Sequence, residues 1–421
     1  MWADVDTPGI PLTSATATLL VTAVVLYVAL RGSDKRRSSP GSRSAPRVVG
    51  GISKRMQEVL QSMPVLHTVP QTPMNLSGLA QLLIFALQSQ WQERRFAAQF
   101  VAEREEVSVL LPGESACCGS ETVGVQWVLA RRGEAVKDLP ADAPIVVLLP
   151  GLNCYAANLP GTSIYHRLLA EGWRIAVFEK RGVGPAGAKS LTQPAFHLFG
   201  HPSDLHAVML KVQERYPDAP IHIVGQSSGN GLAGCYTTLF GPQIRRLRSC
   251  LLLIGGEDYN LAFDPPKANW MTRFLYDVVL LASCKERFLL RNAEVLKSHS
   301  EHGYAAAIAA PKLQEFYDIV MRHFSGYSDR EEAERRINNF SGSNRCLRDV
   351  CVPFMVVYTT DDPVAPGGPR PEWLDVVADC ANTAVALYPS GSHLGCYEGW
   401  EGARWTDQLA VEWVKACGAG A

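Results

Sequence analysis

The sequence predicts an α/β architecture: a mostly parallel central sheet with helices on both faces, a helical cap inserted late in the chain, and an N-terminal transmembrane helix. Three observations predict it. Short β-branched runs alternate with stretches of helical spacing from residue 145 onward, Gly225-Gln-Ser227-Ser-Gly229 directly follows one of those runs, and residues 10–30 are 21 positions without a charge. Such alternation calls for a parallel sheet covered on both faces, with its ligand at the carboxyl ends of the strands.

As a helix, residues 10–30 would span about 30 Å, the thickness of a bilayer's hydrocarbon. Pro11 falls in the first turn, where its missing donor is harmless. Thr13, Ser14, Thr16, Thr18 and Thr22 lower the hydropathy, but their hydroxyls bond back to the helix. A cleaved signal peptide wants a basic start; the leader here, Met-Trp-Ala-Asp-Val-Asp, is acidic, so the segment reads as a retained single-pass anchor. Residues 31–55 then carry eight basic side chains against one acid, a net +7 in a chain of net charge −1. The positive-inside rule therefore expects the body of the chain in the cytosol, with the lipid bilayer as a partner. In a lumen, Asn75-Leu-Ser77 and Asn339-Phe-Ser341 would accept glycans. Residues 38–47 read as a flexible basic linker suited to anionic headgroups.

The 421 residues, 47% hydrophobic and 19% charged, fit one large globular unit with an insertion, and the balance excludes a disordered chain or a nucleic-acid binder. The expected divisions are an anchor and linker (1–48), a helical segment (49–110), a first core part (111–258), a helical cap (259–345) and a second core part (346–421). Eleven cysteines without a Cys-x-x-Cys favour a reducing compartment and argue against a zinc ribbon. Cys235, Cys250, Cys284 and Cys351 lie in apolar runs and read as small hydrophobes.

Residues 79–100 have the spacing of one packing helix, and 107–111 with 122–129 look like an opening pair of strands. Strands follow at 145–149, 173–178, 221–224 and 250–254, with helices at 164–171 and 204–216. The helical, aromatic-rich stretch 259–345 interrupts them before strands resume at 354–358 and 383–388. Most of its aromatics read as core, a few as the lining of an acyl pocket.

The chemistry begins at Gly225-Gln-Ser227-Ser-Gly229, a serine on a tight strand-to-helix turn whose flanking glycines keep side chains out of the bend. Ser227 is the expected nucleophile. A serine needs a histidine to take its proton and a carboxylate to hold that histidine's tautomer, in the chain order serine, acid, histidine. The strand at 354–358 ends in Thr-Thr-Asp361-Asp362-Pro-Val, and downstream of it only one histidine remains, His393. Asp362 is the preferred acid, with Asp361 facing away or capping and Asp258 a rival. Two backbone donors are needed for the oxyanion, and the expected ones are the amides of Ser228 and of Leu152 in Pro150-Gly-Leu-Asn153. No cofactor and no metal is called for. Gly182-Val-Gly-Pro-Ala-Gly187 imitates a dinucleotide fingerprint with Asp204 as the ribose acid, but Pro185 sits where amides would cradle pyrophosphate. Gly200 and Pro202 likewise prevent His197, His201 and His206 from lining up on one helix as metal ligands.

These motifs occur in one order with Glu103-Arg-Glu105, Trp127, Leu149-Pro-Gly-Leu152, Phe178-x-x-Arg181-Gly182, Asp204-Leu205, 347–353 and Gly391-Ser-His393-Leu-Gly395. Over about residues 100–400 the chain thereby resembles the α/β-hydrolase superfamily, and within it the membrane-anchored abhydrolase-domain branch of lipases and esterases, with bacterial and plant relatives. The resemblance implies serine-dependent hydrolysis of carboxylic esters, often acylglycerols or phospholipids, without a cofactor. A thioesterase and a non-catalytic lipid-binding scaffold of the same fold are the alternatives. Two departures bear on acyl preference: Ser228 replaces a bulkier apolar residue or glycine, and Arg335-Arg336 stand where paired tyrosines are expected.

Overall fold

The β-branched runs assemble into one sheet. A computed structural model describes residues 45–418 apart from 69, 71–76, 90, 111–119, 160, 186–187, 189–190, 256–268, 327–346 and 399–402. The strands are β1 (Arg47–Gly50), β2 (Phe100–Leu110), β3 (Ser120–Arg131), β4 (Ile145–Leu149), β5 (Arg174–Glu179), β6 (Ile221–Gln226), β7 (Leu247–Leu253), β8 (Phe354–Thr359) and β9 (Thr383–Tyr388). They form one nine-stranded sheet in the order β1-β9-β8-β7-β6-β4-β5-β3-β2. Strands β4 to β9 run parallel, and the antiparallel pairs β1·β9, β2·β3 and β3·β5 sit toward the edges.

Alternate residues of each strand feed opposite cores. In β4, Val146 and Leu148 face the helices Lys54–Gln61, Ser163–Ala170 and Trp405–Gly418, while Ile145, Val147 and Leu149 face Pro202–Arg215, Ser228–Leu239 and Pro371–Ala378. Coverage on both faces is why these strands read as continuous apolar runs. From β4 the chain crosses to β5 on one side and returns to β6 on the other, which places the reversal of strand order between β4 and β6. The crevice outside their carboxyl ends is where such sheets bind ligands.

A third apolar cluster joins the helices between β7 and β8. Phe288, Phe316, Tyr317 and Phe324 lie inside it with Phe196 from the loop after β5, so most of the described aromatics of that stretch are core, whereas Trp270 is 62% exposed. The segment from Trp270 to Leu290 runs on as one helix with two wider π turns, Leu275–Leu280 and Lys285–Leu290. Its Thr272 hydroxyl donates to the Pro363 carbonyl at 3.0 Å and the Tyr276 hydroxyl to that of Val364 at 2.7 Å, fastening the cap to the loop after β8.

Several expectations are corrected. Residues 79–100 are not one helix: Trp91 ends Gly78–Ser89 by donating its amide to Gln88 at 3.2 Å and begins Gln92–Gln99, so Phe96 enters the core while Trp91 stays 49% exposed. Arg47, read as linker, opens β1, whose four residues are too short to show alternation and form a charged edge strand on β9. The supposedly helical segment 49–110 ends in the eleven-residue β2, paired along its length with β3. Cys351 is exposed, unlike the buried Cys235, Cys250 and Cys284. The anchor, Asp258, both glycosylation sites and Arg335-Arg336 include or are residues outside the described ones. Among the described residues, no helix is long and apolar enough to cross a membrane.

Arg181 and Asp204, side chains 1% exposed, form a two-pronged ion pair at 2.5 and 2.6 Å that ties the loop after β5 to the helix beyond it. Both carboxylate oxygens are used, which explains why Asp204 accompanies Arg181 and leaves no free edge for a ribose. Asp204→Ala would strand a buried guanidinium, and unfolding in urea should show a loss of about 3–5 kcal/mol.

Candidate active site

Ser227 sits between β6 and its helix at φ 51°, ψ −122°, a conformation that costs a side-chain-bearing residue about 1–3 kcal/mol. Its surroundings enforce it. The Ser227 amide donates to the Leu253 carbonyl at 3.1 Å, and the buried Asn230 amide group bonds to the carbonyls of Leu253, at 2.9 Å, and Gly255. The turn tolerates no Cβ on either flank: one at Gly229 would come within 2.1 Å of the Leu149 carbonyl oxygen, one at Gly225 within 2.7 Å of Asn230 Oδ1.

His393 reaches Ser227 from the loop after β9, with Nε2 2.7 Å from Oγ. Ser392, Leu394 and Cys396 in that loop all have positive φ, at 78°, 63° and 43°. Asp361 secures it: Oδ1 accepts the amides of Gly391 at 2.9 Å and Ser392 at 3.2 Å, while the Thr359 hydroxyl donates to the Ser392 carbonyl at 3.0 Å. Asp361 therefore caps the histidine loop and does not touch the imidazole. Asp361→Ala should lower kcat about tenfold and stability by about 1.5–3 kcal/mol, the range for hydrogen bonds to a charged group; steady-state kinetics beside a denaturation curve would read both.

Asp362, 3% exposed, meets His393 Nδ1 through Oδ2 at 2.7 Å. Its Oδ1 accepts the amides of Val364 and Ala365 at 2.7 and 3.1 Å, which fixes the carboxylate's orientation. A nitrogen facing a carboxylate must carry the proton, so Nε2 is left with its lone pair toward the serine.

The loop that carries Leu152 passes beside Ser227 at Gly151, and Ser228 adjoins Ser227 in the chain. Ser228 is the first helical residue after Ser227, and at Gly151 an added Cβ would stand 3.4 Å from the Ser227 Cβ. Among the described residues, neither the Leu152 nor the Ser228 amide donates to an acceptor of the chain. Leu152 and Val364 also pack against the cap's apolar cluster. The nitrogens of His197 are engaged by the Phe199 amide at 3.2 Å and the Tyr317 hydroxyl at 3.4 Å, and among the described residues no group of His, Cys, Asp or Glu is arranged to hold a metal.

Residues 140–398, which carry the elbow, Asp362 and His393, match the family described as serine aminopeptidase, S33. The chain belongs to this family of α/β-hydrolases. As such it is similar to an embryogenesis-associated protein, EMB8, of Picea glauca, 25% identical over 70% of this chain and 63% of the relative. It is also similar to phospholipase ABHD3 of Bos taurus, 26% identical over 65% of this chain and 64% of that one, and to monoacylglycerol lipase ABHD2 of Danio rerio, 22% identical over 65% and 66%. The chain thus spans less than two thirds of the length of these curated relatives.

Sequence reasoning about this α/β-hydrolase passes over one residue next to the site. Lys180 is an unspecified position of Phe178-x-x-Arg181, yet it is 2% exposed and its ammonium lies against Gly151 and Ser228. The available signal is its place directly after the buried strand β5, where a lysine has little room to reach solvent.

Proposed function

We propose that this chain is a membrane-anchored serine hydrolase of carboxylic esters, with lipid esters such as acylglycerols or phospholipids as its substrate class. The observation that carries this reading is the continuous hydrogen-bonded line from Ser227 through His393 to Asp362, with links of 2.7 and 2.7 Å. Ser227 Oγ attacks the ester carbonyl as His393 Nε2 takes its proton, and the carbonyl electrons move onto an oxygen received by the amides of Leu152 and Ser228. Collapse of this intermediate expels the alcohol, which takes the proton from His393. Water then repeats the sequence on the acyl-enzyme and frees the acid. Asp362 keeps the Nδ1–H tautomer and stabilises the imidazolium throughout.

A lipid ester is favoured by the cap's apolar cluster bordering Leu152 and Val364, and by the uncharged segment 10–30, which would hold the enzyme at a bilayer facing the cytosol. The named phospholipase and monoacylglycerol lipase among its relatives fit the same class. The deciding experiment compares wild type with Ser227→Ala on p-nitrophenyl butyrate, an aminoacyl p-nitroanilide, an acyl thioester and a membrane lipid extract. Ser227-dependent loss of the ester and of one lipid class supports the reading. Faster turnover of the anilide or the thioester would replace it with a peptidase or a thioesterase, and no turnover of any substrate would leave a lipid-binding scaffold.

A further inference from the structure

Lys180 is a buried cation with no carboxylate paired to it among the described residues. Burying an ammonium is costly, and an apolar side chain would fill the space without that cost. Its stem adjoins Gly200, where an added Cβ would come within 3.4 Å of Cγ. Its Nζ donates to the Gly151 carbonyl at 2.9 Å and to the Ser228 hydroxyl at 3.3 Å.

Those two partners belong to the two residues or peptides read above as oxyanion donors. The Gly151 carbonyl and the Leu152 N–H are parts of one planar peptide and point in opposite directions. A cation on that carbonyl fixes the direction of the N–H and polarises it into a stronger donor. The second contact holds the side chain of the residue that supplies the other amide.

We propose that Lys180 is the positioning residue of the oxyanion hole, its ammonium orienting the Gly151–Leu152 peptide and Ser228 so that their amides converge on the oxyanion of the tetrahedral intermediate. The inference rests on Ser227 being the nucleophile. Because the ester's neutral ground state gains little from this arrangement, its loss falls on kcat and spares KM.

The cation is also titratable. Burial brings Lys180 down to about 8, with the thiols of Cys154 and Cys284 pushing the other way. The groups facing it come from three elements: Cys154 in the loop after β4, Cys284 in the cap helix and His197 in the loop after β5. Burial moves the Cys154 thiol up, Cys284 up to about 12 and His197 down to about 3. The ammonium is lost as pH rises through about 8, so an alkaline fall in kcat that Lys180→Met abolishes would be its signature.

The test uses Lys180→Met in the full-length enzyme, with p-nitrophenyl butyrate as substrate and an alkyl trifluoromethyl ketone, whose serine adduct carries an oxyanion, as inhibitor. The expected result is a kcat lower by on the order of 100-fold, a KM within about threefold, inhibitor affinity reduced in parallel with kcat, and no alkaline fall. A kcat and an inhibitor affinity within twofold of wild type, or a loss confined to KM, would overturn the inference. Should Lys180→Met not fold, Lys180→Gln, which keeps a donor without the charge, is read in the same way: kcat and ketone affinity within twofold of wild type exclude the role. A wild type that turns over no ester sinks the hydrolase reading itself, whereas an active wild type with an indifferent Lys180→Met sinks only this inference.

Discussion

Ser227→Ala is expected to lower ester turnover by on the order of a million-fold, because members of a triad act as a unit and the residual rate comes from binding and the oxyanion donors alone. The substitution removes one oxygen from a turn that Asn230 and Leu253 hold from the other side, so the fold should persist. Turnover of p-nitrophenyl butyrate by purified variant and wild type, with circular dichroism to verify folding, reads the effect. A loss below about a thousandfold would mean that another group attacks the ester.

Asp362→Asn should cost about ten-thousandfold in kcat while leaving the loop geometry in place. The carboxylate demands a proton on His393 Nδ1, and the bonds from Val364 and Ala365 hold one of its oxygens, which leaves the other for the imidazole. An asparagine constrained in the same way turns its NH2 toward Nδ1, forcing the ring proton onto Nε2, where it faces Ser227 and blocks attack. Steady-state kinetics of Asp362→Asn beside Asp361→Ala separates the two neighbours: the first should lose far more activity than stability, the second comparable shares of both. Equal losses of kcat in the two variants would remove the distinction between orienting acid and loop brace.

Much of this arrangement is legible in the sequence for a definite reason. Strands β4 and β6 to β9 are buried on both faces, so their residues are almost uniformly apolar and stand out from the helices between them. Ser227 and His393 are equally visible, one because its turn demands glycine on both sides and the other because no other histidine follows the acid. What stays hidden depends on partners remote in sequence. Arg47-Val-Val-Gly50 is a strand only because β9 lies beside it, and the break at Trp91 follows from what Phe96 packs against. Adjacent aspartates differ in role only through the loops they meet, Asp361 binding the amides at 391 and 392 and Asp362 the imidazole. Lys180 reads as a surface charge until the loop after β4 and the Ser228 helix close over it.

The reading depends most directly on Ser227 Oγ being made nucleophilic by His393. The measurement that meets this head-on is reaction of the intact protein with a fluorophosphonate, followed by peptide mass spectrometry. The account predicts one phosphonyl adduct, located on Ser227, abolished by Ser227→Ala and strongly slowed by His393→Ala. Wild type that takes up no label, or a label that maps to another residue and survives Ser227→Ala, would contradict it.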